Sequence, residues 1–546
     1  MAHTAIHRGS SDSNGRPAAA EFWQGAVSFF PNGSQTMSQE TPPNEAALTR
    51  DLAPANLTAE GVPHRNGRTP AFVTLFMVEM WERFGYYGMA VLLVVFMKKH
   101  MGFADQRANL TWGAFAAMVY AVPTIGGWLG DKVLGARRMT LLGAIVLTVG
   151  YALLAIPGQP SWFFFFSLGL IAAGNGLFKA NPNNLVSRIY EGDDAALDGA
   201  FTMYYMAINI GAFLSQMACP KIAEHFGWYY AFGLCSVGLV LGIILFLVMR
   251  KKLAHVGSKP DFQPLNLARL GGVLVGTVVI AGLIALVVQN LTIAKVIVYL
   301  AGVLLLALFA ILIAKGSKSE RSGLIAMLLL VAQAILFFVF YQQMSTSLTL
   351  FAVRNVDLNF YGYRVPPEQF QVLNPFWIAV CSPLLAILYS RLGKKGKDPS
   401  VAVKFAIGFV LLAVGFFLYG ASGRFAQAGL VSSWWMVGGY FFQSVGELLI
   451  SGLGLAMVSR YVGPNLRGLM MGAWLLATGI AQYLGSVVAN FASVPDTVTD
   501  PLQTLGLYTH LFNVLGLVAV AGTVVAFAML PLMKKLDQSS KQGAAA

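Results

Sequence analysis

The sequence predicts an all-α membrane protein of fourteen transmembrane helices, and three of its features carry that prediction. Hydrophobic residues make up 56% of the 546 residues and charged residues only 11%. A soluble globular domain carries roughly 25% charged residues, so too little polar surface exists to cover a water-soluble body of this size. From about residue 71 onward, apolar runs long enough to cross the roughly 30 Å hydrocarbon core follow one another with short breaks. These runs are continuous, as from Val273 to Val288, whereas barrel strands alternate over about ten residues. No collagen-like period is present, and three cysteines are too few for a disulfide scaffold. Cys219, Cys235 and Cys381 fall in or at apolar runs and read as packing residues.

Taken in order, spans are expected near 71–97, 108–131, 138–157, 161–187, 198–219, 227–250, 267–289, 291–315, 322–353, 368–392, 399–420, 432–460, 466–490 and 505–533. Residues 1–69 are rich in Ser, Asn, Pro, Gly and Glu with nearly balanced charge. They read as a flexible polar tail without a signal peptide. The remaining divisions are a six-helix bundle over 70–252, a cytoplasmic linker with a two-helix insertion over 253–320, a second six-helix bundle over 321–535 and a C-terminal tail over 536–546. The insertion is almost purely apolar and is expected at the periphery.

Alternate connections differ in Lys and Arg content. One set, which includes the C-terminal tail, holds 21 basic residues and the opposite set eight. The positive-inside rule then places the richer set, and both termini, in the cytosol. The net charge of +13 is therefore mostly topology, with no basic stripe for nucleic acid. Two six-helix bundles joined by a cytoplasmic connection make the major facilitator layout, with its site between the halves at the midplane. The loop Gly127-Trp128-Leu129-Gly130-Asp131-Lys132, followed by Arg137-Arg138, fits that layout. Its Asp131 and Arg137 are candidates for a cytoplasmic gate, or else belong to a tight positive-inside turn.

An ionisable side chain inside a span costs several kcal/mol unless paired or hydrated, so each one is a functional candidate. Five stand out: Glu79, Glu82, Arg83, Lys179 and Glu447. At 1.5 Å per residue they lie at comparable depths, about 13–20 Å from the cytoplasmic ends. Glu79 and Arg83 share a helix face, and Tyr86 and Tyr87 follow one turn on. Three acids against two bases leave a surplus carboxylate, which suits a protonatable site better than a static salt-bridge network. Lys404 is close enough to a span end to snorkel. All seven histidines fall in tails, loops or helix ends, and no nucleophile–base pair is visible, so neither a metal site nor an enzyme is expected.

Glu79-Met-Trp-Glu82-Arg83-Phe84-Gly85-Tyr86-Tyr87-Gly88 resembles the Glu-x-x-Glu-Arg-Phe-x-Tyr-Tyr-Gly signature of the proton-dependent oligopeptide transporter family. Four further stretches are similar to family segments: Gly174 to Asn181, Phe201 to Gly211, Phe370 to Pro375, and Gly446 to Ser451 with Gly472-Ala473-Trp474. The resemblance implies a proton-coupled symporter that imports di- and tripeptides across the plasma membrane, the inner membrane of a bacterium, by alternating access. It implies short peptides and protons as partners, a lipid bilayer around a monomer, and no cofactor beyond the coupling proton. Glu79 or Glu82 would pair with Lys179 until a proton releases the lysine. Arg83 and Lys179 would take the peptide carboxylate, and Glu447 with Asn374 its amino terminus. Tyr86, Tyr87, Tyr120, Phe338, Tyr341 and Trp474 would form aromatic walls, with Asn209, Gln343 and Ser451 as polar liners. A related carrier of nitrate, a conjugate or a drug is the alternative.

Two positions depart from the family pattern. Ala90 stands where many members have a second arginine, and Gln342-Gln343 where many have a glutamate. The two charges lost are thought to pair across the extracellular gate. Arg354 and Asp357 offer a replacement external pair, or an exposed loop pair worth little.

Overall fold

The structure is a computed structural model that describes residues 65–450, 458, 461–463, 466–495, 497–498 and 500–536. Fourteen long helices run through these residues. The first six are α1 (Arg65–Lys99), α2 (Asp105–Leu134), α3 (Ala136–Leu154), α4 (Ser161–Ile189), α5 (Asp194–Phe226) and α6 (Trp228–Met249). Two 3-10 turns, Arg250–Leu253 and Lys259–Phe262, lead to α7 (Leu267–Gln289) and α8 (Leu291–Lys315). Then come α9 (Lys318–Tyr341, carried on by Gln342–Ser345 and Ser347–Asn355), α10 (Leu373–Lys394), α11 (Val401–Ser422), α12 (Trp434–Ile450), α13 (Arg467–Ala489) and α14 (Pro501–Ala528). A two-residue hairpin, β1 (Asn359–Phe360) with β2 (Tyr363–Arg364), and a 3-10 turn (Pro367–Val372) join α9 to α10. Because the helices alternate in direction, one face of the bundle carries the start of α1 and the end of α14. The opposite face, called the far face below, carries the hairpin.

Eleven of these segments are long and apolar enough to cross a membrane by composition alone. The helices that fall outside that set include α1, with its internal Glu79, Glu82 and Arg83, and α5, both of which line the interior chamber. Helix α1 begins at Arg65, so the expected tail is too long by five residues: Arg68 pairs with Asp193 at 2.9 Å and fixes this turn. The remainder of that tail and the last residues of the C-terminal one lie outside the described residues.

Helix α1 packs along α5 and α6, α3 along α4, and α11 along α12 and α14. Small residues permit the tightest crossings. A Cβ on Gly126 of α2 would overlap the carbonyl oxygen of Gly176 in α4, and one on Gly211 of α5 would overlap that of Met80 in α1. Pro123 breaks α2 just before Gly126, so the end of α2 bends against α4. The inserted α7 packs on α4, and α8 lies against α13, so the hairpin touches both halves. Its outer surface exposes Val275, Val278, Leu283, Val303 and Leu304, as a lipid-facing pair does.

The linker after α6 is held by the start of α3. Arg137 donates to the carbonyls of Leu253 (2.9 Å), Ala254 (2.8 Å) and Asp261 (3.1 Å). The Asp261 carboxylate accepts from the backbone N–H of Arg137 at 3.2 Å, an anion at a helix N-terminus. In this conformation the donors of Arg137, expected at a cytoplasmic gate, are engaged by the linker. Asp131, the other expected gate residue, accepts from Asn184 (2.6 Å) and Arg188 (3.4 Å) of α4, contacts that lie within one half.

Candidate functional site

A cavity of about 570 Å³ lies between the halves. Its wall takes Glu79, Arg83, Tyr86 and Tyr87 from α1, Tyr120 from α2, Lys179 from α4 and Asn209 from α5. From the other half come Tyr341, Asn374, Glu447 and Trp474. Most of the expected site residues thus meet in one chamber. Ser451 lies outside the described residues.

On α1 the i,i+4 spacing brings Arg83 Nε to 3.3 Å from Glu79 Oε1, and the same nitrogen donates to Glu82. Both carboxylates therefore share one guanidinium, while its Nη2 is buried with no hydrogen-bond partner. Glu79 also accepts from Tyr204 of α5 at 2.5 Å. Glu82 is fully buried and not part of the chamber wall. It sits behind Arg83, with Asn175 Nδ2 donating to it at 3.4 Å. Tyr86 lies under the Arg83 guanidinium at 5.3 Å and meets Tyr87 edge-on.

The expected ion pair between Lys179 and a helix-1 glutamate is not formed in this conformation. Among the described residues no carboxylate lies within ion-pair distance of Lys179, whose ammonium stands 5.1 Å from the centre of the Tyr120 ring. Arg83, on the same helix as both glutamates, reaches them first. In the other half, Asn374 Nδ2 donates to Glu447 Oε2 at 2.7 Å and to Ser444 Oγ at 3.1 Å. Among the described residues Glu447 has no cationic partner. The chamber is thus polarised, with its two cations in one half and an unpaired carboxylate in the other. Phe338, Tyr341 and Trp474 form an edge-to-face aromatic wall beside Glu447.

Gln343 is corrected from polar liner to structural residue. Its Nε2 donates to the carbonyls of Val339 and Gly485, both at 2.9 Å, and its Oε1 accepts from Ser347 at 2.7 Å. The neighbouring Gln342 lines the chamber instead. Tyr204, Tyr205, Gln371 and Gln482 also line the chamber and were not anticipated as site residues, although the Tyr204-Tyr205 pair stands inside the Phe201–Gly211 stretch.

The chamber is closed toward the far face by bonds between the halves. Asp105, at the start of α2, accepts from Arg354 Nη2 of α9 at 2.9 Å and from the backbone N–H of Val494 at 3.1 Å, and Lys98 lies 2.8 Å away. Asn109 Nδ2 donates to Asn490 at 2.9 Å. Gln369 donates to the carbonyl of Met217 at 3.0 Å, and Lys221 to that of Arg364 at 2.5 Å. The suggested pair Arg354–Asp357 is replaced: Arg354 turns inward to Asp105 and Tyr508, while Asp357 caps Asn359.

Residues 137–508 match the POT family, the transporters to which the helix-1 signature is similar. The chain belongs to this family. It is 44% identical over 466 residues to dipeptide and tripeptide permease B of Salmonella typhimurium, a match covering 85% of this chain and 95% of that one. Dipeptide and tripeptide permease A of Cronobacter turicensis is 42% identical over 88% of this chain and 97% of its own. Among solved structures, a crystal structure of tetrameric PepTSo2 superposes with a TM-score of 0.79 at 49% identity, covering 86% of this chain and 99% of that one. A bacterial homologue of the human drug peptide transporters PepT1 and PepT2 superposes with a TM-score of 0.77 at 48% identity, over 86% of this chain and 99% of that one. The protein is thus a multi-pass membrane transporter of the major facilitator fold and not an enzyme.

Proposed function

We propose that this POT-family chain is a proton-coupled symporter that imports di- and tripeptides by alternating access. The observation that carries this reading is the polarity of the chamber: Arg83 and Lys179 from one half face a volume that Glu447 enters from the other. A short zwitterion has its two charges at a fixed separation, and this pair of walls offers both counter-charges at once. The unsatisfied Nη2 of Arg83 and the unpaired ammonium of Lys179 are donors for a carboxylate. Glu447, braced by Asn374, accepts the peptide ammonium. The permease names of the relatives support this class of cargo.

The coupling proton goes to Glu79 or Glu82. Neutralising either removes one of the two carboxylates that share Arg83, and an ion pair in a low-dielectric site is strong enough for its loss to matter. Arg83 and Lys179 are then both available to the peptide, so proton and peptide favour the same state. Release of the far-face bonds at Asp105 opens the chamber to the other side. The basic residues on the face of the termini support a cytoplasmic position for that face, in the plasma membrane of a bacterium. One chain encloses a whole chamber, so the transporting unit is the monomer, whether or not chains assemble as in tetrameric PepTSo2.

The test is uptake of labelled di-alanine into liposomes holding the purified protein, with and without an inward proton gradient. Accumulation that needs the gradient, collapses with a protonophore and is competed by tripeptides is expected. Competition by nitrate with no effect of tripeptides would overturn the peptide assignment.

A further inference from the structure

The far face holds one more carboxylate that the transport cycle described above does not use. Glu368 lies in the 3-10 turn Pro367–Val372 that precedes α10, and it is 5% exposed. This turn packs on α5 and α1 of the opposite half as well as on the end of α9. Its neighbour Gln369 bonds to Met217 across that boundary, and Gln371 donates to Thr349 at 3.0 Å. Among the described residues Glu368 has no such partner: its carboxylate accepts from its own backbone N–H.

The cations around it are otherwise engaged. On α5, Lys221 lies 3.1 Å from Glu224, and Arg364 of the hairpin lies 3.4 Å from the same carboxylate. At the ends of α1 and α9, Lys98 and Arg354 are both on Asp105. The first turns of α10 carry no charge. Lys99 of α1 faces Glu368 but forms no ion pair with it, and Glu224, also facing it, is a like charge. A carboxylate buried in this way without a partner costs several kcal/mol as an anion, whereas its protonated form costs far less. Separation of the two halves pulls the turn off α1 and α5 and gives Glu368 to water.

We propose that Glu368 is a second proton-binding site, apart from the carboxylates of α1, which takes a proton from the outside medium when the far face closes and returns it to the same side when that face opens. The proton passes from water to one carboxylate oxygen and back, so it is never carried inward. Acid outside then favours the closed far face without changing the number of protons moved per peptide. This inference rests on the orientation and symport proposed above.

Spin labels at Gln159→Cys and Gln503→Cys, on exposed positions of opposite halves at the far face, read the closed and open populations of the full chain in liposomes between pH 5 and 8. One linked proton changes the closed-to-open ratio by up to tenfold per pH unit. In Glu368→Gln and Glu368→Leu the slope should fall by that amount, leaving only what the chamber carboxylates contribute. Lys99→Met should keep the full slope, because a neutral carboxyl needs no cation. The ratio of proton to peptide flux should be the same in Glu368→Gln as in the unaltered chain. An unchanged slope in both Glu368 variants, loss of the slope in Lys99→Met, or a smaller flux ratio in Glu368→Gln would each overturn the proposal. The distance measurement needs no peptide, so failure of the unaltered chain to accumulate di-alanine would count against the symport reading and not against this one.

Discussion

Asp105→Asn is the sharpest perturbation the structure offers, because one carboxylate holds three donors and two of them come from the opposite half. Asp105 is 1% exposed, while the Arg354 and Lys98 side chains are 14% and 17% exposed. Breaking a fully buried ion pair by removing one partner costs about 3–5 kcal/mol. The partly wet cations here lower that to about 2–3 kcal/mol for the far-closed state, because exposed charges contribute less. The far-open state loses little, since Arg354 and Val494 have left Asp105 there. At about 1.4 kcal/mol per tenfold, the closed-to-open ratio should fall roughly 30- to 150-fold. Asparagine keeps the shape and one acceptor, so the loss reports charge and not a cavity. The same pair of spin labels at 159 and 503 reads the populations at fixed pH, and the charge swap Asp105→Arg with Arg354→Asp tests whether the pair itself matters. A single variant whose closed fraction matches the unaltered chain would refute the assignment of Asp105 as the far-face latch.

Other outcomes follow from individual contacts. Lys179→Ala should abolish proton-driven accumulation while leaving exchange of peptide across the membrane, as uptake and counterflow in liposomes will report; full accumulation would remove Lys179 from the switch. Glu447→Gln should weaken free dipeptides more than N-blocked ones in competition assays, and equal losses would contradict its role at the amino terminus. Gln343→Ala leaves the Gly485 carbonyl and Ser347 without their partner, so thermal stability should drop by about 1–3 kcal/mol while the KM for di-alanine moves less than twofold. Arg137→Ala should speed limited proteolysis within residues 254–266, because three carbonyls lose their donor, with peptide affinity unaltered.

What could be read from sequence follows a physical rule: charge shows where its surroundings are apolar. Glu79, Glu82, Arg83, Lys179 and Glu447 stand out in otherwise uncharged runs, and four of the five line the chamber. The helix ends also agree to within a few residues for most elements, since long apolar runs leave little freedom. Side-chain direction was less accessible. Gln342 and Gln343 are adjacent and chemically identical, and only the packed structure separates them, Gln342 on the chamber and Gln343 bonded to Val339 and Gly485. Asp105 reads as a loop residue and Glu368 as the first residue of a span, because nothing local marks either; the partners of Asp105 lie 249 and 389 residues away. The contacts of Arg137 and Asp131 are equally hidden, because a basic loop with an acid has the same sequence whether its contacts run across the halves or into the linker.

The charges of the chamber give a reason for proton and peptide to move together. Glu79 and Glu447 line the chamber with Arg83 and Lys179, and Glu82 pairs with Arg83 from behind the wall, so the empty site with its backing holds three formal negative charges against two positive ones. A zwitterionic peptide is neutral and cannot correct that surplus alone. One proton does, and the site holding both is neutral, which is the form least penalised when water is expelled and the halves close. The same count explains why Lys179 cannot be exchanged for an uncharged residue without penalty. Its loss raises the surplus to two, so closure on a peptide would need two protons or leave an uncompensated carboxylate in a dry site. Exchange without net movement of charge avoids repeated return of the empty form, and it is therefore the mode expected to survive in Lys179→Ala.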